Sequence, residues 1–474
     1  MLKQLLATKD PLATQADADG LSLRRTLGPW GLTALGIGAV IGGGIFVITG
    51  QAAADHAGPA IVISFILAAL CCTFCALCYA EFAAMVPVSG SAYSYTYATL
   101  GELAAWFIGW MLVLEYGVSA SAVAVSWTGY FLSLLDHFGI HLPAAFVNAP
   151  LDGELKPTGA IANLPAAGIV LLLTWLCYVG IRKSSGANMA MVILKTGLIV
   201  LVIVAGWRYV DPANWHPFIP ENEAPGKYGW DGILRGASMV FFAYIGFEAT
   251  SVAAQESRNP QRDMPIGMLA SLAICTVLYI GMALVMTGLT PFNLLGTNEP
   301  VVTAVATHPE LAWLRIVVEI GALIGLSSVV LVMIIGQPRI FMIMGRDGLL
   351  PEVFTRIHPK HRTPHINTII TGIGIALLAA LFPLDILGDL TSMGTLIAFS
   401  AVCAGVLILR RTRPELPRPF RIPFAPLICI AGIVSCFILL STMTAHNWLL
   451  MLIWTAFGFA IYFAYGFRHS KNRR

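Results

Sequence analysis

Charged residues are scarce: Asp, Glu, Lys and Arg make up 11% of the 474 residues, while 57% are hydrophobic. Soluble domains carry about 25% charged residues, so the deficit excludes an ordinary soluble fold. The stretch Met1 to Gly20 has no apolar core and carries Lys3, Lys9, Asp10, Asp17 and Asp19. That pattern argues against a cleaved leader and predicts a cytoplasmic tail over 1–25. No cysteine falls in an expected outer loop, so no disulfide is predicted. P-loop, zinc and serine-nucleophile motifs are missing. The net charge of +3 reflects loop placement and provides no surface for nucleic acid. No cofactor, no metal and no obligate protein partner are expected.

What is present is a succession of apolar runs, about 12 of them of membrane-spanning length. They cover 31–53, 60–85, 102–134, 161–181, 187–207, 230–256, 267–288, 311–340, 366–382, 389–410, 424–442 and 448–467. Short connections leave no room for a separate soluble domain, so the expectation is an all-α integral membrane protein embedded in a lipid bilayer. With an inner N-terminus, the basic residues gather on one side: Arg24, Arg25, Arg182, Lys183, Arg258, Arg262, Arg346, Arg410, Arg411, Arg413 and Arg468. Lys156, Arg208 and Lys227 fall on the other. The bias predicts that both termini are cytoplasmic.

Two of these runs are interrupted. The first contains Gly36-Ile37-Gly38-Ala39-Val40-Ile41-Gly42-Gly43-Gly44-Ile45-Phe46. Each glycine of a consecutive triplet costs a helix about 1 kcal/mol relative to alanine. The sixth run carries Gly246 and Glu248 after Phe241-Phe242-Ala243-Tyr244-Ile245. Unwound backbone at bilayer depth is tolerated only where it is enclosed by protein or lines a cavity. Corresponding breaks in two halves point to a transporter site. Runs one and six start from opposite sides, which predicts inverted five-helix repeats over 26–207 and 208–415, followed by two extra helices over 416–474.

The electrostatics of the breaks suggest a ligand. The outer half of run one starts near Gly43 with its positive dipole end at the break. The N–H groups of Gly43 and Gly44, with Gly42 and Ile41 beside them, are placed to hold a carboxylate. Freed carbonyls at Phe242 and Ala243, assisted by Ile245, are placed to accept from an ammonium. A small α-amino acid carries both groups.

The Gly36 to Phe46 run resembles the span-one motif of the amino acid–polyamine–organocation superfamily, and Phe241 to Glu248 resembles its span-six motif. Leu114-Glu115-Tyr116, Trp127-Thr128-Gly129-Tyr130, Gln255-Glu256-Ser257-Arg258-Asn259-Pro260 and Gly336-Gln337-Pro338-Arg339 through Pro351 are similar to its bacterial cationic-amino-acid-transporter-like branch. The likeness runs from about residue 25 to about 415. It implies the leucine-transporter fold, an amino acid bound at the two breaks, and residence in a bacterial cytoplasmic membrane. It also implies proton coupling through a span-five lysine, which Lys195 matches. In that fold Gly38, Ile41, Ser327 and Ser328 surround the lysine. Phe242 corresponds to an aromatic gate. Many members carry Thr or Ser where this chain has Gly43, so their side-chain selectivity does not carry over directly.

Lys195 lies about half-way along its apolar run, where a lysine costs about 2.5–3.5 kcal/mol on insertion scales. It should therefore face the bundle interior. Glu115 similarly needs a partner, and three readings stand: a protonated hydrogen-bond donor, a contact for a basic substrate, or a structural link to groups of runs one or eight. Glu248 is placed to cap the break. Glu81 reads as a solvated carboxylate at a helix end, and Glu319 has no evident role. Cys71, Cys72, Cys75 and Cys78 read as small buried residues, with Cys403, Cys429 and Cys436 isolated in their runs. Trp106, Trp207 and Trp448 read as interfacial anchors. The leading expectation is proton-coupled symport by alternating access, with exchange or facilitated diffusion as alternatives. A channel would instead need pore-lining rings in an oligomer, and a membrane enzyme would need a convergent acid, base and nucleophile.

Overall fold

The computed structural model describes residues 5–9, 27–85, 90–179, 185–358 and 363–471. Most of the expected 1–25 tail lies outside them, as do Arg182 and Lys183. Among the described residues the chain is helical and no β-strand forms. The first broken run consists of α1 (Pro29–Val40) and a second half that includes α2 (Thr49–Ala52). It is followed by α3 (Ile61–Met85), α4 (Ser91–Thr99), α5 (Glu102–Val113), α6 (Ser119–His137), α7 (Leu164–Val179) and α8 (Ser185–Trp207). The second broken run is α9 (Gly229–Val240) and α10 (Ala249–Val252). After it come α11 (Pro260–Leu289), α12 (Pro300–Ala306), α13 (Ala312–Arg346), α14 (His365–Leu381), α15 (Leu384–Thr412), α16 (Ala425–Ser441), α17 (Ala445–Ile461) and α18 (Phe467–His469).

Seven helical stretches among the described residues are long and apolar enough to cross a membrane. Shorter apolar helices cover 29–40, 164–179, 365–381 and 425–441. Every apolar run read from the sequence coincides with helix, and the protein is a multi-pass membrane protein. The broken elements are the most enclosed: residues 36–50 are buried apart from their immediate flanks, as are 236–248. Large apolar side chains such as Ile193, Val204, Val277, Leu427 and Leu452 are exposed on the outer helices, where lipid would cover them.

Several sequence expectations change. Glu81 is buried, not solvated: Arg410 grips it through Nε to Oε1 at 2.8 Å and through a second, shorter bond to Oε2. The Ile422 amide also donates to Oε2 at 2.9 Å. Apolar flanks hid this because the partners are more than 300 positions away in sequence. Trp106 is not an interfacial anchor; it is fully buried, and its Nε1 donates to the Gly458 carbonyl at 3.0 Å. Glu319 acquires a role, accepting from Arg315 at 3.0 Å and from Ser133 at 2.6 Å. The cysteines of α15 and α16 are not isolated, since their sulfurs meet those of α3.

Removing one partner of a buried ion pair strands the other, at a cost of about 3–5 kcal/mol. Arg410→Met should therefore lower the thermal unfolding midpoint in detergent clearly. Adding Glu81→Gln should restore most of the loss. Equal melting of the single and double variants would mean that the pair does not hold α3 to α15.

Candidate functional site

Both expected breaks are present. α1 ends at Val40, Ile41 turns to an extended conformation (φ −71°, ψ 103°), and the chain resumes helical form at Gly44. In the sixth run a 3-10 turn over Phe241–Tyr244 ends at extended Ile245 (φ −62°, ψ 131°), followed by Gly246 at φ +122°. That positive φ strains any side chain with a Cβ.

Glycine lets the two breaks interlock. A Cβ on Gly44 would lie 2.3 Å from the Ala243 Cα, and one on Gly246 would lie 2.8 Å from the Ala39 carbonyl carbon. Each break thus seats its glycine against the backbone of the other. Gly43 faces α6, where an added Cβ would come within 2.9 Å of the Ser126 hydroxyl. Gly42 faces Val329 of α13 at 3.2 Å. The amides of Gly43 and Gly44 begin the outer half-helix, where N–H groups have no carbonyl one turn ahead.

The freed carbonyls are held by side chains. Lys195 Nζ donates to Gly38 O at 2.9 Å and to Ile41 O at 3.0 Å, the partners anticipated from the resemblance. The Ser327 and Ser328 hydroxyls donate back along α13 to Leu323 and Gly325, so only their oxygen lone pairs are left to face a donor such as Lys195. An intrahelical carbonyl one turn away needs no ordering of a second helix, so it takes the proton. Gly325 instead makes room for the lysine stem, since a Cβ there would be 3.4 Å from the Lys195 Cγ.

Two tyrosines that sequence reasoning missed complete the arrangement. Tyr279 of α11 shares its one phenolic proton between Val40 O at 3.0 Å and Ala243 O at 2.9 Å, so one phenol bridges both breaks. Tyr130 of α6 donates to Phe46 O at 2.6 Å. The Phe242 carbonyl accepts from the Ile245 amide at 3.3 Å. The carbonyls expected to be free at Phe242 and Ala243 are therefore engaged, each keeping a second lone pair for an incoming donor. The Phe242 ring is buried beside them.

Two carboxylates stand close to the second break. Glu248 accepts from the Gly246 amide at 2.9 Å and so caps the unwound segment. Glu115 sits on a π-helical bulge over Leu114–Val118, a distortion that recurs at functional sites. The Glu115 and Glu248 carboxyls lie within hydrogen-bonding reach of one another, as do Tyr95 and Ser251, while the hydroxyls of Tyr79 and Tyr116 and the Gln337 amide meet no partner among the described residues. A buried polar atom without a partner costs about 1–3 kcal/mol, so these groups would be stabilised by any water or ligand that reached them. On the other side of the breaks, a cavity of about 390 Å³ is lined by Gln51, Thr128, Asn163, Asn298 and Asp385, among others.

A family model described as amino acid permease matches residues 27–465. The chain belongs to this family. The permease is 46% identical over 466 residues to the methylthioribose transporter of Bacillus subtilis, covering 98% of both chains. It is also 46% identical to the branched-chain amino acid permease BcaP of that organism, over 95% of both chains. Cationic amino acid transporter 9 of Arabidopsis thaliana is 41% identical over 82% of the permease and 67% of the relative. The permease is accordingly a transporter and not an enzyme.

The interlock makes glycine obligatory at two positions. Gly44→Ala should weaken substrate binding at least about tenfold, because overpacking costs about 1–3 kcal/mol. Gly42→Ala, which meets only a movable valine, should cost less. Calorimetry on the purified variants separates them, and wild-type affinity in Gly44→Ala would place the ligand elsewhere. Tyr279→Phe frees two carbonyls at once and should reduce uptake by about tenfold or more. Unaltered transport in proteoliposomes would show that the bridge is dispensable.

Proposed function

We propose that the permease carries an α-amino acid across the membrane by proton symport. The carboxylate binds the amides of Gly42, Gly43 and Gly44 at the outer half-helix of the first break. The ammonium binds the second lone pairs of the Phe242 and Ala243 carbonyls, with Ile245 beside them. Phe242 swings over the substrate as the gate. Glu115 faces the same region and favours a positively charged or strongly hydrogen-bonding group. The observation that carries this reading is the pair of opposed backbone ends, tied together by Tyr279 and closed on one another at Gly44 and Gly246.

Lys195 supplies the coupling. As an ammonium it donates charge-assisted bonds to Gly38 and Ile41, which are stronger than neutral ones. Releasing the proton inward weakens that hold on α1, and α1 then swings to open the inner route. In this reading 12 helices span the bilayer with both termini inside. Residues 26–207 and 208–415 form the inverted repeats, and 416–474 contributes two further helices. A bundle containing α1, α2, α3, α9, α10 and α11 rocks against the rest. The membrane is the bacterial cytoplasmic membrane, the substrate is the partner and the proton is the coupling ion.

Uptake of radiolabelled amino acids into proteoliposomes tests the proposal. Branched-chain, small neutral and basic amino acids should be compared with methylthioribose, which has no carboxylate–ammonium pair. Saturable amino acid uptake driven by an inward proton gradient is expected. Transport of methylthioribose with no response to amino acids would overturn the ligand assignment. Lys195→Ala should abolish gradient-driven accumulation while leaving substrate binding within about tenfold of wild type. Unchanged proton dependence in that variant would remove the lysine from the coupling step.

A further inference from the structure

The thiols of three helices converge deep in the bundle, away from both breaks. The sulfurs of Cys71 and Cys75, one turn apart on α3, each lie 3.7 Å from Cys436 Sγ on α16. All three sulfurs fall within 4.8 Å of one another. Cys403 of α15 is 3.9 Å from Cys75, and Cys78 is 3.6 Å from Cys429. All of these residues are at most 1% exposed.

These spacings have a geometric meaning. A metal bound to thiolates at about 2.3 Å sets its sulfurs about 3.8 Å apart in a tetrahedron and about 4.0 Å apart in a trigonal plane. The closed set here has three members, and its ligand atoms are all sulfur. Soft thiolate sites select Cu(I) over hard cations, whereas zinc normally takes four ligands.

We propose that Cys71, Cys75 and Cys436 form a trigonal Cu(I) site that staples α3 to α16. Binding forms three Cu–S bonds and breaks three S–H bonds, releasing three thiol protons to solvent with no change of oxidation state. The site is sealed, so loading requires the two helices to part transiently. If the rocking motion proposed above is correct, the staple joins a moving helix to a static one, and a loaded protein transports more slowly. That consequence rests on the transport reading; the binding itself does not.

The test uses the reduced, purified full chain in detergent under anaerobic conditions, titrated with Cu(I) against a chromophoric Cu(I) chelator. Wild type should withdraw one Cu(I) per chain. Cys436→Ser and Cys71→Ala should each hold it at least about tenfold more weakly. Cys177→Ser, outside the cluster, should match wild type. X-ray absorption of the loaded wild type should give three sulfur neighbours near about 2.3 Å, a readout that needs no variant to fold. Failure of wild type to retain copper, equal retention in the cluster variants, or a nitrogen and oxygen shell would each overturn the site. Slower uptake on loading, reversed by chelator, would support the staple's effect on transport. Undiminished uptake by a copper-loaded protein would overturn the rocking consequence and leave the site standing.

Discussion

Backbone hydrogen bonding in a medium without water is the constraint on which this structure depends. Each peptide group released where the two helices unwind must be satisfied by the protein itself or by its ligand. The fold meets that demand with a few long polar side chains projected from neighbouring helices. Lys195 reaches Gly38 and Ile41, Tyr130 reaches Phe46, and Glu248 folds back on the Gly246 amide. Every one of these groups would be a liability on a lipid-facing surface. Each is buried against the breaks and therefore contributes to holding them open.

The packing around the breaks follows from the same demand. Gly44 and Gly246 bring two main chains closer than any side chain permits. That proximity aligns the N–H end of one half-helix with the C=O end of the other. The buried ion pairs lie away from the breaks, Glu81 with Arg410 toward one end of α3 and Asp389 with Arg235 and Asn447 on α15. The first braces α3 against α15, and the second ties α9 of the second broken run to α15 and α17. The scaffold thus separates the electrostatics that fix its shape from those available to a ligand.

Much of this was legible in the sequence because it is encoded locally. A glycine triplet inside an apolar run announces a break, and a lysine at mid-run must turn inward whatever surrounds it. The Gly38 and Ile41 partners of Lys195 came from resemblance to relatives. Contacts between distant segments were not legible. Tyr279 and Tyr130 look like ordinary aromatic residues in apolar helices, and nothing in their neighbourhoods indicates which carbonyl they reach. Glu81 near a helix end and Trp106 near a span boundary follow average behaviour for their types, and the fold departs from the average by packing α15 to α17 over them. The same long-range convergence brings Cys436 and Cys403 to α3, which hydropathy cannot reveal because it records depth and not azimuth.

The phenol of Tyr279 has a mechanical meaning beyond its shared hydrogen bond. Because it holds Val40 and Ala243 together, neither unwound strand can be displaced without pulling on α11 and on the other strand. The two breaks therefore behave as one joint with a single pin. A force applied to either side is borne by both, and the mechanical tie between the halves resides in one side chain.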